Sequence, residues 1–156
     1  MTNECIPYYE GTSTWKRTVH VGYAVTGKTF AGPITGYQSQ GPALATDPLA
    51  ANDGGNQQVP AAPTAGGPVS GVVGWDVAIN GKAPIIGGDG TQLPVTSGAA
   101  VAIGDYLKVD TQGRVVTATQ TGAGSQPANW VVGIAHSAAG AAGVDVVVEL
   151  IAPFKY

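Results

Sequence analysis

One spacing in this chain matches a motif that does chemistry. Gly22-Tyr23-Ala24-Val25-Thr26-Gly27-Lys28-Thr29 satisfies G-x-x-x-x-G-K-[ST], whose backbone amides cradle phosphates while the lysine reaches the outer ones. The chemistry needs a buried strand before the loop and a helix after it, because the helix N-terminus supplies the amides. Here Gly22 to Val25 belongs to an alternating strand, and the following Phe30-Ala31-Gly32-Pro33-Ile34-Thr35-Gly36 is broken by Gly and Pro. Val72-Val73-Gly74-Trp75-Asp76, the one candidate for a magnesium-binding strand, is interrupted by Gly and Trp. Lys28 therefore reads as an exposed turn residue. A small nucleotide-binding enzyme on a β fold stays as the alternative function.

The other reactive side chains are sparse. His20 and His136 lie far apart, and no Cys/His spacing suggests a metal centre. A triad can be drawn from His136, Ser137 and Asp105, but triads rest on geometry, not on sequence position. Asp76, Asp89, Asp105, Asp110 and Asp145 sit where turns and strand edges are expected, the ordinary structural places for Asp. Cys5 is the sole cysteine, so no intrachain disulfide forms. With no basic neighbour in sequence to lower its pKa, it reads as a small packing residue. The expectation is no catalytic, cofactor-binding or metal-ligating residue, and no enzyme.

The elements that would hold any site are strands. Leu93 to Thr119 reads as a hairpin with its lead-in: Leu107 and Val109 alternate with Tyr106 and Lys108, Asp110-Thr111-Gln112-Gly113 turns, and Arg114–Thr119 returns. Thr18–Val25 puts Val19, Val21, Tyr23 and Val25 on one face, and short strand candidates follow at Thr29–Ala31 and Ile34–Gln38. Val69–Ile79 reads as one long or bent strand, Asn80-Gly81 as a hairpin turn into Lys82–Ile86, and Trp130–His136 as a strand. Gly143–Ile151 closes the pattern with Val144, Val146, Val148 and Leu150 on one face. Trp75 and Trp130, lying in strands, are assigned to the core.

Composition agrees. Nineteen Val and eight Ile against five Leu favour strands, and 24 Gly with 11 Pro favour turns over long helices. At 156 residues one domain is natural. The predicted fold is all-β, a small β-barrel or compact β-sandwich, with an extended arm over residues 1–17 and a single β domain over 18–156 that carries an irregular loop at 39–68. A net charge of −3 gives no case for nucleic acid or anionic membrane. No apolar run reaches the length of a membrane span, and the start lacks the pattern of a secretory signal. Synthesis in a cytoplasm is expected.

Only 11% of residues are charged, which suggests that much of the surface faces another protein. The arm holds Ile6, Pro7, Tyr8, Tyr9 and Trp15 without a clear period, and the loop holds Leu44 and Leu49 among Gly and Pro. Loops this long are usually functional or flexible. These seven residues are the candidate contact set, with the arm expected to become ordered on a partner.

The string from Leu93 through Val101 to Asp105 resembles the core of a family of small capsid decoration proteins of tailed bacteriophages. Asn3-Glu4-Cys5-Ile6-Pro7-Tyr8-Tyr9-Glu10 and Ala24-Val25-Thr26-Gly27-Lys28 resemble its actinobacterial-phage branch. With Val69–Val77 and Gly133–Leu150, the resemblance covers most of the chain outside 39–68. It implies a structural virion protein on the outer capsid surface, synthesised in the host cytoplasm, that bridges subunits of the major capsid protein and assembles as a homotrimer. A head-fibre or adhesin module stacking glycans on Trp and Tyr is a further alternative.

Overall fold

The computed structural model describes residues 4–10, 13–38, 57–119 and 129–155. Among them there is no helix, and no helix long and apolar enough to cross a membrane. Eleven strands run β1 Trp15–His20, β2 Phe30–Ala31, β3 Ile34–Gln38, β4 Gln57–Pro60, β5 Gly71–Val73, β6 Lys82–Gly87, β7 Gln92–Thr96, β8 Tyr106–Val109, β9 Val115–Thr117, β10 Trp130–Ala135 and β11 Asp145–Lys155. They form a four-stranded sheet ordered β1-β6-β5-β2, a five-stranded sheet ordered β7-β11-β10-β8-β9, and the ribbon β3-β4, all antiparallel. The fold is all-β and sandwich-like, and no sheet closes into a barrel. A single bridge between Ser97 and Val115 brings the two ends of the five-stranded sheet together without a ladder.

Register explains the layers. Phe30, Val72 and Ile86 stand opposite one another in the four-stranded sheet and so share a face. They pack into one core with Leu93, Val95, Leu107, Val109, Val146 and Val148 of the five-stranded sheet. One residue along, Ala31, Val73, Ile85 and Val19 face the other way and build a second core with Tyr23 and with Ile34 of the ribbon. The four-stranded sheet is therefore the middle layer, apolar on both faces at its centre, which is why Val72-Val73 of β5 and Ile85-Ile86 of β6 are adjacent apolar pairs and do not alternate with polar residues.

The Asp110–Gly113 turn forms as its sequence dictates. Asp110 Oδ1 accepts the Gln112 N–H at 2.8 Å and the Arg114 N–H at 2.9 Å, and Gly113 takes φ +75°. Leu107 and Val109 are fully buried while Tyr106 is exposed. Several boundaries differ from the sequence reading. β1 opens at Trp15, inside the stretch read as arm, because Trp15, Lys16 and Arg17 pair with Gly87, Ile86 and Ile85. Val69–Ile79 yields only the short β5, and Trp75 is 47% exposed in the bend that follows, so it is not a core residue. Trp130 begins β10 half-buried. Val144 is exposed, and the buried alternation of β11 starts at Val146. Part of the loop read at 39–68 is strand β4; Leu44 and Leu49 lie outside the described residues.

Candidate interaction surface

The G-x-x-x-x-G-K-[ST] segment forms a turn between layers, not a phosphate loop. Gly27 N–H donates to Asp76 Oδ1 at 2.8 Å, Lys28 N–H to Val73 O at 2.9 Å, and Thr29 Oγ1 to Thr26 O at 2.6 Å. The Gly27 and Lys28 amides, two of those that would hold a phosphate, are thus already committed, and β2 follows where a helix would be required. Lys28 is not a free turn charge. Its Nζ pairs with Asp145 Oδ2 at 2.6 Å, and that hydrogen bond raises the Lys28 pKa against a smaller opposing effect of burial. The pair lines a cleft of about 910 Å³ with Tyr23, Thr26, Thr96, Arg114 and Val144.

The residues drawn as a triad do not assemble. His136 Nε2 lies 2.9 Å from Glu149 Oε2, Ser137 Oγ accepts the Val147 N–H, and Asp105 Oδ2 accepts Thr117 Oγ1 at 2.7 Å. Each serves a local structural contact. Among the described residues no three His, Cys, Asp or Glu side chains gather as a metal site would require.

Four of the expected contact residues, Ile6, Pro7, Tyr8 and Tyr9, lie on the arm, and Trp15 lies on β1. Residues 4–10 lie against the β domain, held by backbone bonds that no side-chain pattern announces. Cys5 N–H donates to Gly74 O at 2.7 Å and Tyr8 N–H to Gln92 O at 2.7 Å, while Gln92 N–H donates to Tyr9 O at 3.0 Å. Cys5 itself is 5% exposed within the larger core, with its Sγ 3.4 Å from Pro94 O. Burial pushes the Cys5 thiol up to about 12; Lys28 nearby lowers it and Asp145 raises it. A buried thiol of this kind is a packing residue. With the backbone pinned, the side chains of Ile6, Tyr8 and Tyr9 remain 65%, 68% and 59% exposed, and Pro7 is half-buried. Trp15 is 38% exposed on β1, with the Arg17 guanidinium 4.6 Å from its ring centre.

Sequence reasoning missed two things here. Trp75 joins the exposed set, and the Cys5–Gly74 backbone bond makes it a chain neighbour of the arm. The arm also finishes an edge of the five-stranded sheet. The outward positions of β7 are Gln92, bonded to the arm; Pro94, which has no N–H; and Thr96, whose N–H donates to Lys28 O at 2.8 Å. The signal for the arm was present in Pro94 and Cys5, but only a structure says which edge they meet.

No protein-family profile matches the chain, and no curated protein matches it. Among solved structures, the chain is similar to the N base of head fiber gp8.5 of bacteriophage phi29, with a TM-score of 0.59 over 88% of this chain and 93% of that one. The two share 14% identity, so the likeness is one of fold.

Proposed function

We propose that this chain is a structural, non-enzymatic virion protein of a tailed bacteriophage that sits on the outer face of the capsid and stabilises it by bridging major capsid protein subunits. The observation that carries this reading is the shared fold with a phage head-fiber base across nearly the whole chain. The exposed Ile6, Tyr8 and Tyr9 on a backbone already fixed by Gly74 and Gln92 supply the contact surface, and exposed Trp75, next in the chain to Gly74, extends it. Aromatic side chains are enriched in interfaces because each buries a large area for few frozen rotors. A pinned arm also avoids most of the ordering cost, on the order of 1–2 kcal/mol per residue, that a disordered one incurs on docking.

The mechanism is mass action. A protein that binds the assembled shell and not its separated subunits shifts the equilibrium toward the shell. Bridging two subunits adds avidity, since the second contact forms at high effective concentration. Self-association as a homotrimer would multiply that effect. The test is sedimentation of purified chain with capsids that lack it. Saturable co-sedimentation, with capsids then resisting heat or chaotrope better, is the expected result. A chain that stays in the supernatant at all concentrations overturns the proposal.

A further inference from the structure

The cleft beside the Lys28–Asp145 pair draws its walls from several segments, and hydrogen bonds tie those segments together. The Thr96 N–H donates to Lys28 O, and the Phe30 N–H donates to Gly113 O at 2.7 Å. The parallel bridge between Ser97 and Val115 sets Arg114 alongside Thr96. On another wall the Tyr23 hydroxyl donates to Ala61 O at 3.0 Å, which ties its ring to the segment bearing Ala62 and Pro63. These bonds hold open a space of about 910 Å³, a size suited to a small molecule, before any ligand arrives.

The charges of this cleft are balanced, and that decides what it accepts. Lys28 is held by Asp145, and Arg114 Nε and Nη2 lie 2.8 and 2.7 Å from Asp110 Oδ2. An anion would have to displace one of these carboxylates, and a cation one of the basic groups, so neither finds an uncompensated partner. What remains on offer is neutral and works both ways. Thr26, Thr111 and Gln112 are exposed in the lining, and their hydroxyl and amide groups both donate and accept. Asp145, with its side chain 41% exposed, keeps acceptor capacity beyond Lys28 and Thr96. A sugar hydroxyl also donates and accepts, so vicinal hydroxyls can run from one such group to the next. Tyr23, Pro63 and Val144 leave apolar surface for the C–H face of a pyranose. We propose that this cleft binds a short neutral saccharide, with Asp145, Thr26, Thr111 and Gln112 taking its hydroxyls and Tyr23 and Val144 meeting its apolar face. None of Ile6, Tyr8, Tyr9, Trp15 and Trp75 lines the cleft, and the inference does not rest on the capsid reading.

The test is titration of the isotope-labelled full chain with maltose, lactose, cellobiose and diacetylchitobiose, followed by amide chemical shifts. Sodium acetate and tetramethylammonium chloride are the charged controls. At least one disaccharide should give saturable shifts centred on Thr26, Thr111, Gln112 and Asp145 at millimolar concentration, and neither ion should. Gln112→Ala keeps the turn, because the bond from Gln112 to Asp110 is made by its backbone N–H, and should weaken binding at least about threefold. Ala62→Trp narrows the cleft from an exposed position and should weaken binding at least about tenfold. Both variants should keep the parent's spectrum away from the cleft. No saturable shift with any of the four sugars, shifts that map elsewhere, an equal response to acetate, or unchanged affinity in both variants would each overturn the proposal.

Discussion

Lys28 Nζ lies 2.6 Å from Asp145 Oδ2, a contact between residues 117 positions apart that ties the turn before β2 to the first residue of β11. The same turn accepts the Thr96 N–H on Lys28 O, and Thr96 Oγ1 reaches Asp145 Oδ1 at 3.3 Å. A spacing that resembles phosphate chemistry is thus used to clasp two sheets together, at the head of the cleft between them.

Lys28 holds φ +60°, a conformation costly for a side chain with a Cβ. Lys28→Ala should therefore lose the partly exposed ion pair and keep the strain, costing about 0.5–1 kcal/mol. Lys28→Gly loses the pair but relieves the backbone, so it should be the more stable of the two by roughly 0.5–1 kcal/mol. Urea midpoints of the two variants check the order, and Lys28→Gly falling below Lys28→Ala would contradict the turn geometry.

Stability should fall at alkaline pH. The Cys5 pKa rises on folding from 9.0 to about 12, so the folded state holds a proton that the unfolded chain releases above pH 9. The benefit of the neutral thiol is complete below pH 9.0 and is lost as pH climbs toward about 12. The raised Lys28 pKa acts with the same sign, its contribution full below the ordinary lysine value and lost above the raised one. Cys5→Ala should lower the melting temperature at neutral pH and flatten its decline above pH 9. Parallel pH curves for the two proteins would show that the thiol does not titrate this way.

Two glycines with similar backbone angles should respond differently to alanine. Gly113 has φ +75°, and a Cβ there would lie 2.2 Å from the Phe30 carbonyl oxygen, so Gly113→Ala must push the hairpin off the β2 edge and should cost more than about 2 kcal/mol. Gly104 has φ +88°, and among the described residues nothing lies within 4 Å of where a Cβ would stand, so Gly104→Ala meets only backbone strain, about 1 kcal/mol. Thermal denaturation of both variants separates close approach from strain.

Tyr8→Ala combined with Tyr9→Ala should leave the arm docked, because its bonds to Gln92 are made by the backbone. The double variant should melt close to the parent yet bind capsids severely less well. Deleting residues 2–15 is a harsher change, since it removes Cys5 from the core and Trp15 from β1. That deletion should lower the melting temperature as well as binding. Unchanged capsid binding by the tyrosine variant would leave the arm without a contact role.

Neighbouring residues specified the local features of this fold. Alternation placed Leu107 and Val109 inward and Tyr106 outward, and Asp110 with Gly113 specified the turn, because strand period and turn chemistry are local. The sequence also denied the phosphate motif its helix, through Gly32 and Pro33. What it left open was decided by contacts between distant segments. Trp75 sits among apolar residues in sequence yet lies outside, because β5 ends at Val73 and the chain bends. Cys5 sits in an aperiodic arm yet is buried, because a β7 edge interrupted by Pro94 accepts the arm's backbone bonds. Lys28 reads as a solvated charge until β11 brings Asp145 beside it. Periodicity reports which side chains prefer burial. Which edge is capped, and by which segment, follows from sheet order, and sheet order is set by pairings that no local pattern contains.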